Sequence, residues 1–188
     1  ARTISIVLVG GYLTAGGANS INMWYDRDID PLMSRTADRP IPAGEISPSS
    51  ALIFGIMISI IGIWWLYVMA NPVASFWVAF SVLFYVFVYS MWLKRTSPQN
   101  IVIGGIAGST PPLVGWSASE GSLDISYDSL WSVFESVTEI GSVMPWLMFL
   151  VIFLWAPPHF WALALYKSKE YEEVGVPMMP NVKGKSRT

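Results

Sequence analysis

The sequence predicts an all-α fold that crosses a membrane several times, and three observations carry that expectation. Hydrophobic residues make up 53% of the chain and charged ones only 13%, against about 25% charged in an ordinary soluble domain. Mean hydropathy is +0.49. The charges are also segregated: none falls between Thr3 and Tyr25, and none between Ile46 and Leu93.

A span needs about 20 apolar residues, and five segments meet or approach this. The first is roughly 3–25, softened by Gly10, Gly11, Gly16 and Gly17. The long charge-free run is divided by Asn71-Pro72 into spans of about 50–69 and 73–93, joined by a tight turn. A fourth runs over about 100–119, with Gly104, Gly105, Gly108 and Gly115 and with Pro111-Pro112 near its middle. The fifth, about 142–166, contains Pro157-Pro158, which are expected to kink or break it, and Pro111-Pro112 are expected to do likewise in the fourth. Small residues let helices approach closely in lipid.

Charge orients these spans. Arg27, Arg35, Arg39, Lys94, Arg95, Lys167, Lys169, Lys183, Lys185 and Arg187 fall in segments on one side, and only Arg2 on the other. The positive-inside rule makes the basic side cytoplasmic. The loop at about 120–141 has Glu120, Asp124, Asp128, Glu135 and Glu139 and no Lys or Arg. Leu130, Trp131, Phe134 and Val137 within it follow helical spacing, so it reads as a short surface helix capping the outer side.

Other classes are excluded or disfavoured. A net charge of −2 offers no strong pull on nucleic acid. With no cysteine there are no disulfides and no thiolate metal sites. No charge lies in the middle of a span, where a transporter usually needs one. The chain begins at Ala1 with no signal-peptide pattern and ends in a polar run, and is expected to be cut from a longer protein at both ends.

The residues that call for chemistry lie at the end of the first span. Asn22, Asp26 and Asp30 are spaced i, i+4, i+8, which on a helix is one face, with Asp28 roughly opposite. Carboxylates at the edge of a membrane span are costly to desolvate. Such a face suits divalent cations through oxygen ligands, and the cations in turn suit a diphosphate. Lys94-Arg95 and the segment 167–173 converge on the same side, where Arg or Lys can neutralise the phosphate oxygens the cations leave free.

Asn22-x3-Asp26-x3-Asp30 followed by Arg35-Thr-x2-Arg39-Pro40 resembles the first aspartate-rich motif of the UbiA superfamily of intramembrane prenyltransferases. Three further segments look like its protoheme IX farnesyltransferase (haem O synthase) branch. They are 100–116 with Gly-Gly-Ile-Ala-Gly-Ser-Thr-Pro-Pro, 154–164 with Pro-Pro-His-Phe-Trp, and 171–180 with Gly-Val-Pro-Met-Met-Pro. The resemblance covers nearly all of the chain except about 120–141.

The resemblance implies a single UbiA-like domain over 1–188, with about five of an expected nine spans around a central cavity. It implies transfer of farnesyl from farnesyl diphosphate to the vinyl group of haem B, giving haem O and diphosphate. The setting would be the plasma membrane of a prokaryote, with the site facing the cytoplasm. The product would serve a terminal oxidase directly or pass through a haem A synthase. Asn22, Asp26 and Asp30 would be catalytic through Mg²⁺, with Mn²⁺ equally suited to oxygen ligands. Arg35, Arg39, Lys94 and Lys167 would bind diphosphate. His159, the only histidine, would contact haem together with Trp161 and Asn100; the bland alternatives are a packed histidine and a helix-capping asparagine. Other branches carry a second aspartate-rich motif, but here 166–173 has no aspartate, leaving Glu170 as the candidate second ligand beside Lys167 and Lys169. That departure and the Pro-Pro-His-Phe-Trp segment favour haem over a sibling enzyme acting on a quinone precursor or a lipid.

Overall fold

In hydrocarbon the backbone finds no water, so every charge-free stretch must satisfy its own N–H and C=O groups as helix. The computed structural model, which describes residues 1–184, is accordingly all-helical. Lys185 and Arg187, counted above among the basic residues, lie outside the described residues. The spans begin with α1 (Arg2–Tyr25) and α2 (Pro48–Met69). Next comes α3, which starts at Pro72, becomes a π-helix over Phe84–Leu93 and returns to α at Lys94–Thr96. The remaining helices are α4 (Asn100–Gly108), α5 (Pro111–Ser119), the outer helix α6 (Leu130–Thr138), α7 (Met144–Tyr166), and the short α8 (Ser168–Glu173) and α9 (Met179–Lys183). Among the described residues, four helices are long and apolar enough to span a membrane. The protein is an integral membrane protein.

The expected fourth span is two nine-residue helices broken at Ser109-Thr110, where Pro111-Pro112 were expected to kink or break it. Pro111 and Pro112 lack N–H groups and disfavour helix in the residue before them. Ala107 O, left without its i+4 donor, accepts from Thr110 Oγ1 at 2.8 Å and from Ser81 Oγ at 2.9 Å. Ser109 Oγ closes on Gly105 O at 2.7 Å. Hydroxyls thus replace the missing backbone donors. At Pro157-Pro158, where a kink or a break was expected, α7 is not broken and runs through. The preceding turn there is Phe-Leu-Trp-Ala, with no hydroxyl to take over the carbonyls, so the helix keeps the bonds that remain.

The tightest crossing is α1 on α2. A Cβ on Gly17 would lie 2.7 Å from Gly55 O, and one on Gly55 would lie 2.9 Å from Gly17 O. Ser20 Oγ adds a bond to Ala51 O at 2.8 Å. The α2–α3 turn forms as its sequence predicts. Asn71 caps α3 through Ala74 N at 2.8 Å and ties it to α5 through Ser117 O at 2.6 Å. On this side three indoles hold the outer loop: Trp77, Trp146 and Trp116 donate to Val137 O, Thr138 O and Ile140 O at 3.0, 3.2 and 3.1 Å. The helix expected there is present as α6, opened by a Ser129/Ser132 capping box.

Candidate active site

The opposite end of the bundle collects the polar residues. α1 stops at Tyr25, so Asn22 and Asp26 are on its last turn while Asp30 opens a single 3-10 turn. The predicted one-face spacing survives this change because the loop keeps i+4 bonds: Asp26 N–H donates to Asn22 O, and Asp30 N–H to Asp26 O, both at 2.8 Å. Asn22 is 4% exposed, Asp26 0% and Asp30 1%.

Buried carboxylates need counter-charges and donors, and these come from far along the chain. Asp26 Oδ2 accepts from Lys94 Nζ and, at 3.0 Å, from Asn22 Nδ2, while Arg95 Nη2 lies 3.4 Å from its Oδ1. Asn22 Nδ2 also donates to the buried Ser90 Oγ at 3.0 Å. Asp30 Oδ2 accepts from Arg39 Nη1 at 2.8 Å, and Thr36 Oγ1 donates to Asp30 O at 3.0 Å. Asp28 points away from this set, as its position predicts. Its two oxygens accept a fork from Arg95 at 2.6 Å each. The Arg95 hydrogen bonds hold the Asp28 carboxyl below its usual range, against a smaller opposing effect of desolvation. Arg95 also lies over the Tyr25 ring at 4.7 Å.

A cavity of about 530 Å³ opens beside these groups. Asn22, Asp30, Arg35, Arg39, Lys94 and Asn100 line its polar end. Tyr85, Tyr89, Ile101, Ile152, Trp155 and Phe160 line the rest. Arg35 forms no hydrogen bond or ion pair among the described residues, so its guanidinium is available to a ligand. Asp26 sits behind this wall, screened by Asn22 and Lys94.

Of the other expected site residues, Lys167, Glu170, His159 and Trp161 are placed apart from the cavity wall, and Asn100 is on it. Lys167 and Glu170 bond each other at 2.6 Å, and Ser34 Oγ donates to Glu170. Lys167 is raised and Glu170 lowered in pKa, chiefly by that mutual hydrogen bond. His159 is exposed and stacks on Trp155, which does line the cavity, with ring centroids 4.3 Å apart. Trp161 is half-buried against a cluster of Ile29, Ile101, Ala164, Val176 and Met178. Asn100 lines the cavity and does not cap α4 with its side chain.

Sequence reasoning placed Arg95 at this face with Lys94 but did not single out Ser90, Tyr85 or Tyr89. Ser90 carried a signal, as a polar residue in an otherwise apolar run. The tyrosines carried none, being two of eight in the chain, and the π-helix decides that Tyr89 shares a face with Lys94. Lys94 N–H donates to Tyr89 O, an i+5 bond. On a regular α-helix these two residues would point about 140° apart; here both line one cavity. Gly104 makes room for Tyr89, since a Cβ there would meet its ring at 2.4 Å.

The donor set tests the fit of a metal. Two carboxylates and a carboxamide, spaced over two turns with Asn22 and Asp30 on the cavity wall and Asp26 directly behind it, are hard oxygen ligands. They suit a cation that takes its remaining ligands from phosphates and water. Among the described residues no group of three or more acids or imidazoles forms a closed site.

Fold and site together define a polytopic membrane protein in which buried acids and their cations close one end of a largely apolar cavity. The chain belongs to the UbiA prenyltransferase family, whose model matches residues 1–188. It is 48% identical over 183 residues to protoheme IX farnesyltransferase 2 of Mesorhizobium japonicum, covering 97% of this chain and 52% of that protein. It is 49% identical over 174 residues to protoheme IX farnesyltransferase of Parvibaculum lavamentivorans, covering 93% and 49%. It is 47% identical over 185 residues to the protein of that name from Bartonella tribocorum, covering 98% and 52%. The chain spans about half the length of the curated relatives it matches. No solved structure is significantly similar to it.

Proposed function

We propose that the protein this chain represents transfers the farnesyl group of farnesyl diphosphate to a vinyl carbon of haem B, giving haem O and diphosphate. The single observation that carries this reading is the wall in which Asn22, Asp26 and Asp30 meet Lys94, Arg95 and Arg39 beside an apolar cavity. Its relatives' names supply the acceptor. Both substrates are largely apolar with anionic ends, which is the polarity of the cavity.

Asn22, Asp26 and Asp30 would hold Mg²⁺ or Mn²⁺, which supplies Lewis-acid neutralisation of the leaving diphosphate. The chain's own residues do the rest. Arg35 reaches the phosphate oxygens directly, and Arg39 and Lys94 exchange a carboxylate oxygen for a phosphate one as substrate enters. Tyr85 and Tyr89, stacked at 5.5 Å, present aromatic surface to the allylic cation left behind. The apolar wall excludes bulk water, which would capture that cation. His159, Trp161 and Asn100 are the proposed haem contacts, and Lys167 and Glu170 an outer pair at the same mouth.

The proposed setting is a prokaryotic plasma membrane with the site facing the cytoplasm, and the basic residues gathered at this end support that orientation. The product would pass to a terminal oxidase, directly or through a haem A synthase. The test is extraction of haems from membranes expressing the complete gene, separated by hydrophobicity and identified by mass. A farnesylated haem that disappears with Asp26→Ala is the expected result. Haem B alone, with folded protein and farnesyl diphosphate present, overturns the acceptor and turns the search to phenolic and lipid acceptors.

A further inference from the structure

Among the described residues, five buried side-chain polar atoms lack a hydrogen-bond partner, and of these only Asn100 Oδ1 belongs to a residue lining the cavity. Asn100 is 1% exposed. Its Nδ2 makes only long contacts, 3.5 Å to Lys94 O and 3.9 Å to Met178 Sδ. Its side chain caps no helix. A buried acceptor left unpaired loses its hydration with no compensation, and where it borders a cavity its ordinary partner is a ligand or a held water.

Farnesyl transfer to a vinyl group needs one water and tolerates no more. The allylic C–O bond breaks and its electron pair leaves on diphosphate. The vinyl π pair forms the new C–C bond to the first farnesyl carbon. The positive charge then rests on the vinyl carbon attached to the porphyrin. A lone pair of one water closes on that carbon, and the proton released goes to diphosphate. Without that water the cation loses a proton from the neighbouring carbon, giving an alkene lighter than the hydroxylated product by one water. With bulk water, the allylic cation is captured before it meets the vinyl group.

We propose that Asn100 Oδ1 holds the water that becomes the hydroxyl of the product; this rests on the farnesyl-transfer reading above. A carboxamide oxygen accepts the water's O–H and leaves its lone pairs free for the cation. Met178 lies against the amide and packs in one buried apolar cluster with Ile101, which keeps further water out.

The test reads a product ratio, which does not depend on how much enzyme accumulates. Haems are extracted from membranes expressing the complete gene as wild type, Asn100→Leu, Asn100→Ala and Asn100→Asp. The hydroxylated farnesyl porphyrin is compared with the water-free alkene by mass. Removing the acceptor in the Leu and Ala variants is expected to shift the ratio toward alkene about tenfold, the effect of one lost hydrogen bond. Asn100→Asp, which keeps an acceptor, is expected to restore the wild-type ratio. An unchanged ratio in the Leu and Ala variants overturns the proposal. So does a raised Mg²⁺ requirement at constant ratio, which would assign the oxygen to the metal, and so does loss of all farnesylated product in both. Absence of farnesylated porphyrin from the wild type fails the farnesyl-transfer reading itself and is distinct from these outcomes.

Discussion

Lys94 and Asp26 stand 68 residues apart in the chain, yet the ammonium of one donates to the carboxylate of the other, from the ends of two different helices. Asp26 is fully buried, while the Lys94 side chain is 15% exposed beside the cavity, so the carboxylate has no water to fall back on. Breaking a buried pair from one side leaves the other charge uncompensated. Lys94→Met is therefore expected to destabilise the protein by about 3 kcal/mol, the lower end for such a change, because Arg95 stays beside Asp26. Thermal unfolding in detergent checks this, and adding Asp26→Asn to Lys94→Met is expected to recover part of the loss.

Asp26→Asn alone keeps the shape of the side chain and an acceptor for Asn22 and Lys94. Folding should survive, while the negative charge needed to hold a cation is gone. Turnover of the full-length enzyme is expected to fall by at least about 100-fold, as when one charge-stabilising group is removed from an active site. The haem extract and a size-exclusion profile are read together. Activity near wild type in a monodisperse sample would remove Asp26 from the metal site.

Asp28 reports on Arg95 through pH. Arg95 lowers the Asp28 pKa in the folded state, so the pair stabilises above the unfolded value of about 3.9. That stabilisation is lost as pH falls through the lower, folded value. The Asp28 side chain is 57% exposed, so solvent screening limits the pair to no more than about 1 kcal/mol. The stability difference between wild type and Asp28→Asn should stay small and flat from neutral pH to about pH 5, then vanish in stronger acid. A difference that grows on acidification contradicts the assignment.

Gly17 faces Gly55 where α1 crosses α2, and a Cβ would already meet Ser59 Oγ and Gly55 O. Gly17→Leu must push the helices apart, at a cost of about 3 kcal/mol or more, the upper part of the overpacking range. Gly11→Leu is the control, because nothing lies within 4 Å of a Cβ there. Melting temperatures of the two variants in one detergent separate crossing from propensity. Equal losses would mean the crossing tolerates separation.

Much of this protein was legible in the sequence, for a physical reason. Hydrocarbon forces each charge-free run to be helix, so the spans, the Asn71-Pro72 turn and the basic end follow from local composition. The Asn22/Asp26/Asp30 set was also legible because i+4 hydrogen bonds continue past the end of α1. The two proline pairs, read alike from the sequence, part ways: Pro111-Pro112 break their span as expected and Pro157-Pro158 do not, and the difference lies in whether hydroxyls are placed to take the freed carbonyls. Tertiary structure alone decided which cations answer the acids. Lys94 and Arg95 were named from charge and convergence, but Arg95's hold on Asp28 and Ser90's bond to Asn22 are contacts between distant segments, and the face that Lys94 shares with Tyr89 is set by ten residues of π-helix. That stretch turns Lys94 onto the face it shares with Tyr89, a rotation that α-helical periodicity does not contain.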